Sequence, residues 1–193
     1  MARNSPDLSL HQIVGGALSL DFANSVDTRG TPREQDFVPD LESFTAWCRL
    51  VGLFVDPARP PDATIEEVHG LRDAVLAVVS AAAKGEPPDE EALGLLNRYL
   101  PPPRLTWTPT GFALDPGAPA GSLRNALAAI ARDAVDLLTG ERKTQLRTCD
   151  RHGRCDWLFL DNTRNHSRRY CTENCAVNAR VERHKRKAAA GSE

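Results

Sequence analysis

Residues 149 to 175 read Cys149-Asp-Arg-His-Gly-Arg-Cys155-Asp-Trp-Leu-Phe-Leu-Asp-Asn-Thr-Arg-Asn-His-Ser-Arg-Arg-Tyr-Cys171-Thr-Glu-Asn-Cys175, and their four cysteines follow the pattern C-x5-C-x15-C-x3-C. Thiolate is a soft ligand, and four thiolates arranged tetrahedrally suit Zn²⁺ and leave no position open for water or substrate. The pattern therefore points to a structural metal site that holds a fold together. The competing reading is a pair of disulfides, which needs an oxidising compartment. His152, inside the first cysteine pair, is a fifth candidate ligand, since imidazole also binds zinc; with four thiolates at hand, a surface-loop histidine is the simpler reading.

The compartment argument favours metal. The opening Met1-Ala-Arg-Asn-Ser-Pro-Asp7 has no apolar segment behind its basic residue, and no apolar run approaches the ~20 residues that cross a bilayer. A cytoplasmic protein with no membrane partner is expected, and there cysteines stay reduced or bind metal. Cys48, in Ser43-Phe-Thr-Ala-Trp-Cys-Arg-Leu-Val51, falls on a helical apolar pattern and reads as a small core residue.

Charge divides the chain. From Glu141 onward there are 13 Lys and Arg against 7 Asp and Glu, whereas residues 1–140 hold 11 against 19. An acidic body followed by a basic module suggests a polyanionic partner for the module. The 193 residues allow one domain of ordinary size and a small one that needs metal in place of a large core. The expected division is a mainly helical domain over 1–140 and a zinc-binding domain over 141–193, an α+β chain overall.

Within the body, Leu18 to Val26 fits a short helix or a strand, with helix preferred. Asp40 should cap a helix carrying Leu41, Phe44, Trp47 and Val51 and ending near Gly52. A helix opening at Asp62 and running to about Lys84 places Ile65, Val68, Leu71, Val75 and Val79 on one stripe, with Gly85 as its stop. A further helix spans Asp89 to Leu100 and halts at Pro101-Pro-Pro103. Leu105 and Trp107, then Phe112 and Leu114, alternate about Thr108-Pro-Thr-Gly111 and predict a β-hairpin. From Ser122 a helix with Leu123, Leu127, Ile130, Ala134 and Leu137 runs to Gly140, expected at its C′ position.

In the module, Asp156 to Asp161 alternates as a strand, and Arg168 to Tyr170 is expected to return as its partner. Thr172 is placed to cap a helix whose first turn holds Cys175, where free backbone N–H groups favour a thiolate. Val177 and Val181 should face the module's core. This order of knuckle, hairpin and helix resembles a treble-clef zinc finger. Arg180, Arg183 and Lys187, with His184, Lys185 and Arg186, lie around the rest of the helix, and Arg164, Arg168 and Arg169 add charge from the hairpin. A basic face braced by metal beside an acidic body favours DNA contact over a merely solvated surface.

The segment from Cys155 to Cys171, followed by Cys175 and a basic helix, resembles the CGNR zinc finger. Upstream, Ile13-Val-Gly-Gly-Ala-Leu-Ser-Leu-Asp-Phe-Ala-Asn-Ser-Val-Asp-Thr-Arg-Gly30 is similar to the opening of the ABATE domain that commonly precedes that finger. The resemblance implies a stress-induced bacterial transcriptional regulator whose finger binds DNA and whose structural zinc is held by Cys149, Cys155, Cys171 and Cys175. After Cys175 this chain has Ala176, Val177 and Asn178 where the family pattern has Gly, Asn and Arg.

Asp21, Asn24, Asp27 and Arg29, the polar residues of the ABATE-like opening, are candidates for an effector pocket; local helix capping and a turn through Asp27 to Gly30 is the simpler alternative. No phosphate-binding glycine loop, His-Glu-x-x-His helix or nucleophile elbow is present, so no enzyme is expected. The rival to a DNA-binding finger is a zinc-stabilised protein-interaction module. Because one small module buries only about 600–1,000 Å² on DNA, a homodimer formed through the body is an attractive expectation.

Overall fold

The structure, a computed structural model, describes residues 13–102, 104–115, 117–151 and 154–190. Six helices and three small antiparallel ladders make it up: α1 (Leu18–Ala23), β1 (Val26–Asp27), β2 (Gln35–Asp36), α2 (Leu41–Leu50), α3 (Ile65–Lys84), α4 (Glu90–Arg98), β3 (Leu105–Thr108), β4 (Gly111–Leu114), α5 (Leu123–Thr139), β5 (Leu146–Thr148), β6 (Leu158–Leu160) and α6 (Glu173–Ala190). The strands pair as β1–β2, β3–β4 and β5–β6. This is the α+β organisation expected, with a small cysteine-bearing module behind a mainly helical body.

Helices start where side chains satisfy their first free N–H groups. Asp40 accepts from Ser43 N at 2.8 Å, Asp89 from Ala92 N at 2.9 Å and Ser122 from Asn125 N at 3.1 Å. Each such cap contributes about 1 kcal/mol. At α3 the cap is Thr64, not Asp62: Thr64 and Glu67 form a reciprocal capping box. Asp62 instead accepts from Leu123 N at 2.9 Å and Arg124 N at 3.3 Å, tying the entrance of α3 to that of α5. A capping residue two positions from a helix is free to serve its neighbour.

Gly140 also departs from expectation. Its φ of −85° and ψ of −179° are extended, so no left-handed cap forms. A Cβ there would sit 2.6 Å from the Asp136 carbonyl oxygen, so the residue is small because α5 turns sharply into a short 3-10 segment, Glu141–Gln145.

The main core gathers Leu20 and Phe22 of α1, Phe44, Trp47 and Cys48 of α2, the predicted α3 stripe, and Leu123, Leu127, Ile130, Ala134 and Leu137 of α5. Phe22 packs 5.8 Å from Phe44 and 5.2 Å from Trp47, centroid to centroid. Leu146, Leu158 and Leu160 of β5 and β6 belong to this same cluster. Burying a leucine contributes on the order of 2 kcal/mol, so the module is anchored to the body by more than a linker.

α1 is short and almost wholly buried, and its polar groups are satisfied from outside it. No side chain of its own caps it; Asp133 of α5 accepts from both Ser19 N (2.7 Å) and Ser19 Oγ (2.6 Å). Asp21, two residues on, accepts from Gly15 N at 2.7 Å. Burial raises the Asp21 carboxyl to about 6, against its backbone hydrogen bonds and with a smaller push from Asp133. A carboxyl whose pKa is raised by folding stabilises the fold while protonated, and that stability is lost as pH climbs from about 4 to 6. Asp21→Asn should remove this slope of roughly 3 kcal/mol, seen as a urea midpoint that no longer falls between pH 4 and 6.

Candidate metal centre

Cys149 follows β5, Cys155 closes the loop before β6, Cys171 precedes α6 and Cys175 lies in the first turn of α6. Their four Sγ atoms all lie within 4.8 Å of one another, with Cys155 to Cys171 and Cys171 to Cys175 both at 3.6 Å. A zinc–sulfur bond of about 2.3 Å puts tetrahedral ligands about 3.8 Å apart, so the donors fit zinc and are too far apart for disulfides. All four are free thiols, three of them buried. His152 lies outside the described residues.

The electrostatics agree with a cation site. Hydrogen bonds from Cys149, Cys155 and Cys171 drive the Cys175 thiol far below its ordinary value, helped by Thr172. Those from Cys155 and Cys171 bring Cys149 down to about 7, whereas thiol contacts and burial push Cys155 and Cys171 up. Four like charges this close need a divalent ion before all can ionise. Thr172 Oγ1 accepts from Cys175 N at 3.2 Å, the predicted cap, and presents the helix's positive end to the cluster.

Around the thiols lies a second small core of Phe37, Trp157 and Phe159, with Val14 and Tyr170 packed on it. Phe37 and Val14 come from the body, and Trp157 Nε1 donates to Val26 O at 3.2 Å.

The predicted strand at Arg168 to Tyr170 does not form. β6 pairs instead with β5 upstream, in the register Leu146↔Leu160, Arg147↔Phe159 and Thr148↔Leu158. The reason is Asp161, whose carboxylate accepts from Thr163 N (2.9 Å), Thr163 Oγ1 (2.5 Å) and Arg168 N (2.9 Å). Those bonds outweigh its burial and hold the carboxyl below its usual range. They bend the chain into a wide loop that reaches Asp150, where Asp150 N donates to Arg169 O at 2.8 Å.

The free edge of β6 is taken by the ABATE-like opening. Asn24 donates through Nδ2 to Leu158 O at 2.8 Å and accepts through Oδ1 from Leu158 N at 2.9 Å, as a neighbouring strand would. Leu160 N donates to Gly15 O at 2.8 Å. Gly15 is held small by its approach to α1, because a Cβ would fall 2.6 Å from that of Leu20.

Residues 16–141 match the ABATE family, described as "Putative stress-induced transcription regulator". The chain belongs to the ABATE family. Residues 145–188 match the CGNR zinc finger, so the two matches together cover the body and the cysteine module. No curated protein matches the chain. With the finger matched and its four thiols gathered, the centre is a structural zinc site.

The ABATE residues singled out for an effector are not brought together. Asp21 and Asn24 are 7% and 1% exposed and bonded inward to Gly15 and Leu158. Arg29 donates to Ala23 O at 2.8 Å, closing the C-terminal end of α1, and pairs with Asp73 at 3.3 Å. Asp27 accepts from Thr28 N and borders a cleft beside Cys171 and Cys175. The local-bonding alternative describes these side chains better than a shared pocket does.

Among the basic candidates, Arg164, Arg180, Arg183 and Lys187 are exposed. Arg169 is exposed but bound to Asp150 at 2.5 Å. Arg168 is occupied: it stacks 4.6 Å over Phe159 and donates to the carbonyls of Tyr170 and Cys171. Val177 and Val181, expected in the finger's core, are each 46% exposed, and α6 packs through Ala179 with Cys175, Ala176 and Glu182 half-buried. The helix is rotated from its predicted face because Cys175 must point at the other thiols. Sequence reasoning passed over Arg151 and Arg154, which flank His152 in the knuckle and were visible there as a basic pair.

Asn24→Ala should leave the Leu158 N–H and C=O unpaired in the interior and cost about 2–4 kcal/mol in denaturant titrations, with zinc still bound. Cys171→Ser should abolish zinc retention and also lower the melting temperature of the body, since Leu158 and Leu160 lie in its core. An unchanged body transition would show that β5 and β6 hold to it without metal.

Proposed function

We propose that this ABATE protein is a zinc-dependent DNA-binding transcriptional regulator, and that DNA phosphates lie in a groove between the finger's knuckle and α6. The groove, about 570 Å³, is lined by Arg151, Arg154, Arg169, Arg183, Lys185 and Arg186, with Asp150 and Glu182 as its acidic members. That convergence of six cations from three segments on a metal-braced scaffold is the observation that carries the proposal.

Two of the six are already engaged, Arg151 with Glu182 at 2.9 Å and Arg169 with Asp150. Arg154, Arg183, Lys185 and Arg186 are exposed and free to meet phosphate. Arg164, Arg180 and Lys187 are exposed but do not line the groove. Arg168 is left out of the contact set because its guanidinium braces Phe159 and the chain before α6. Phosphate contact of this kind positions a finger on the duplex without reading bases. The body acts as the scaffold that sets the finger's orientation.

A protein-binding finger is the second reading, favoured by one observation: Val177 and Val181 stand exposed on α6. Salt separates the two. Each phosphate contact contributes a slope of about −0.9 to log affinity against log salt, whereas an apolar contact contributes little.

Fluorescence anisotropy of the zinc-loaded chain with duplex DNA, across a salt series, tests the groove. Arg183→Ala with Arg186→Ala should weaken binding roughly tenfold or more and make the slope shallower by about 2, with zinc content unchanged. Arg168→Ala should instead lower thermal stability while leaving the slope alone. Unaltered binding by the double variant would remove the groove from the mechanism.

A further inference from the structure

We propose that the exposed apolar face of the β3–β4 hairpin is the contact through which two copies of this chain form a twofold dimer. The register Leu105↔Leu114 and Trp107↔Phe112 places these four side chains on one face, and they are 70%, 51%, 70% and 72% exposed respectively. Trp107 and Phe112 meet edge to face, 4.9 Å between centroids. The opposite face carries the pairs Thr106↔Ala113 and Thr108↔Gly111, all four residues half-buried.

The large apolar side chains therefore share the more exposed face of the hairpin, and the small residues share the less exposed one. Among the described residues eight large apolar side chains are exposed, and four of them are these. A lone two-stranded hairpin is marginal in water, and a contiguous exposed apolar face of this kind marks a contact site.

Several features identify the cover as a second copy. No charged residue is among the four, so neither nucleic acid nor a charged peptide has a partner group on the face. Two aromatics and two leucines at this exposure present on the order of 500 Å² of apolar surface. That is over half of the ~800 Å² that each partner buries in a stable complex, with Arg104, Thr110 and Asp115 available as a polar rim.

The face also has a gradient that suits itself. Its aromatic pair lies next to the turn at Pro109–Thr110, and its leucine pair lies at the base, where Asp115 N donates to Arg104 O at 2.7 Å. Turning one hairpin by 180° over another sets the thick aromatic end of each on the thin leucine end of its mate, which evens the gap between the layers. Such a contact is isologous, the form that closes at two copies. It does not depend on the DNA-binding proposal.

Sedimentation velocity on the zinc-loaded full chain, from about 1 to 100 µM, reads the outcome. The expected result is a reversible dimer of 21.1 kDa chains. Trp107→Glu and Phe112→Ser should each raise the dissociation constant at least about tenfold while circular dichroism and zinc content stay the same; Trp107→Phe should keep the dimer. A second readout locates the contact. Trp47 and Trp157 are buried at 1% and 8% exposure, so acrylamide quenching that rises on dilution reports Trp107. A wild-type chain that stays monomeric throughout overturns the proposal and leaves the face for another protein. A dimer unmoved by both disruptive variants overturns it as well and puts the interface elsewhere.

Discussion

Four thiols within 4.8 Å of one another cannot all ionise unless a cation sits among them, and the whole C-terminal module is arranged around that demand. Cys175 has to face the cluster, so the rotation of α6 is set by its first turn. The faces that follow are consequences: Ala179 goes inward, Val177 and Val181 go outward, and Arg183 and Arg186 turn toward Arg151 and Arg154 across the groove. The metal centre thus determines which charges line the groove, although it touches none of them.

The finger's rotation would mean little if the finger swung freely. It does not, because β6 is bonded on both edges, to β5 on one side and to Asn24 and Gly15 on the other. Asn24 supplies with one side chain what a strand residue supplies with its backbone, and it does so where no water competes. Phe37 and Trp157 cross the junction in opposite directions, one packed in the cysteine core and the other bonded to Val26 O. The opening segment matched to the ABATE family is in this structure the seam between body and finger. A body that takes up a partner through an exposed hairpin would then carry two fingers at a defined spacing.

Much of this was legible in the chain. The period of α3 and α5, the caps Asp40, Asp89 and Ser122, the alternation about Thr108 to Gly111 and the four ligands all announce themselves by local rules of spacing and hydrogen-bond supply. Three of the misreadings share a cause. Asp62, Asn24 and Asp161 are short polar side chains whose partners lie outside the pattern that contains them, at α5, at Leu158 and at Arg168. Local chemistry says that such a residue bonds a nearby N–H; it does not say which one.

The sequence by itself determined the metal, the α+β class and the separation of an acidic body from a basic module, because ligand type, hydrophobic period and charge count are properties of the chain. Tertiary structure alone decided that β5 rather than residues 168–170 pairs with β6, that the ABATE opening closes the other edge, and that the large side chains of β3 and β4 face outward. Each of these depends on which surfaces remain after the core of α1, α2, α3 and α5 has formed. A period names the face of an element, and only packing assigns that face a neighbour.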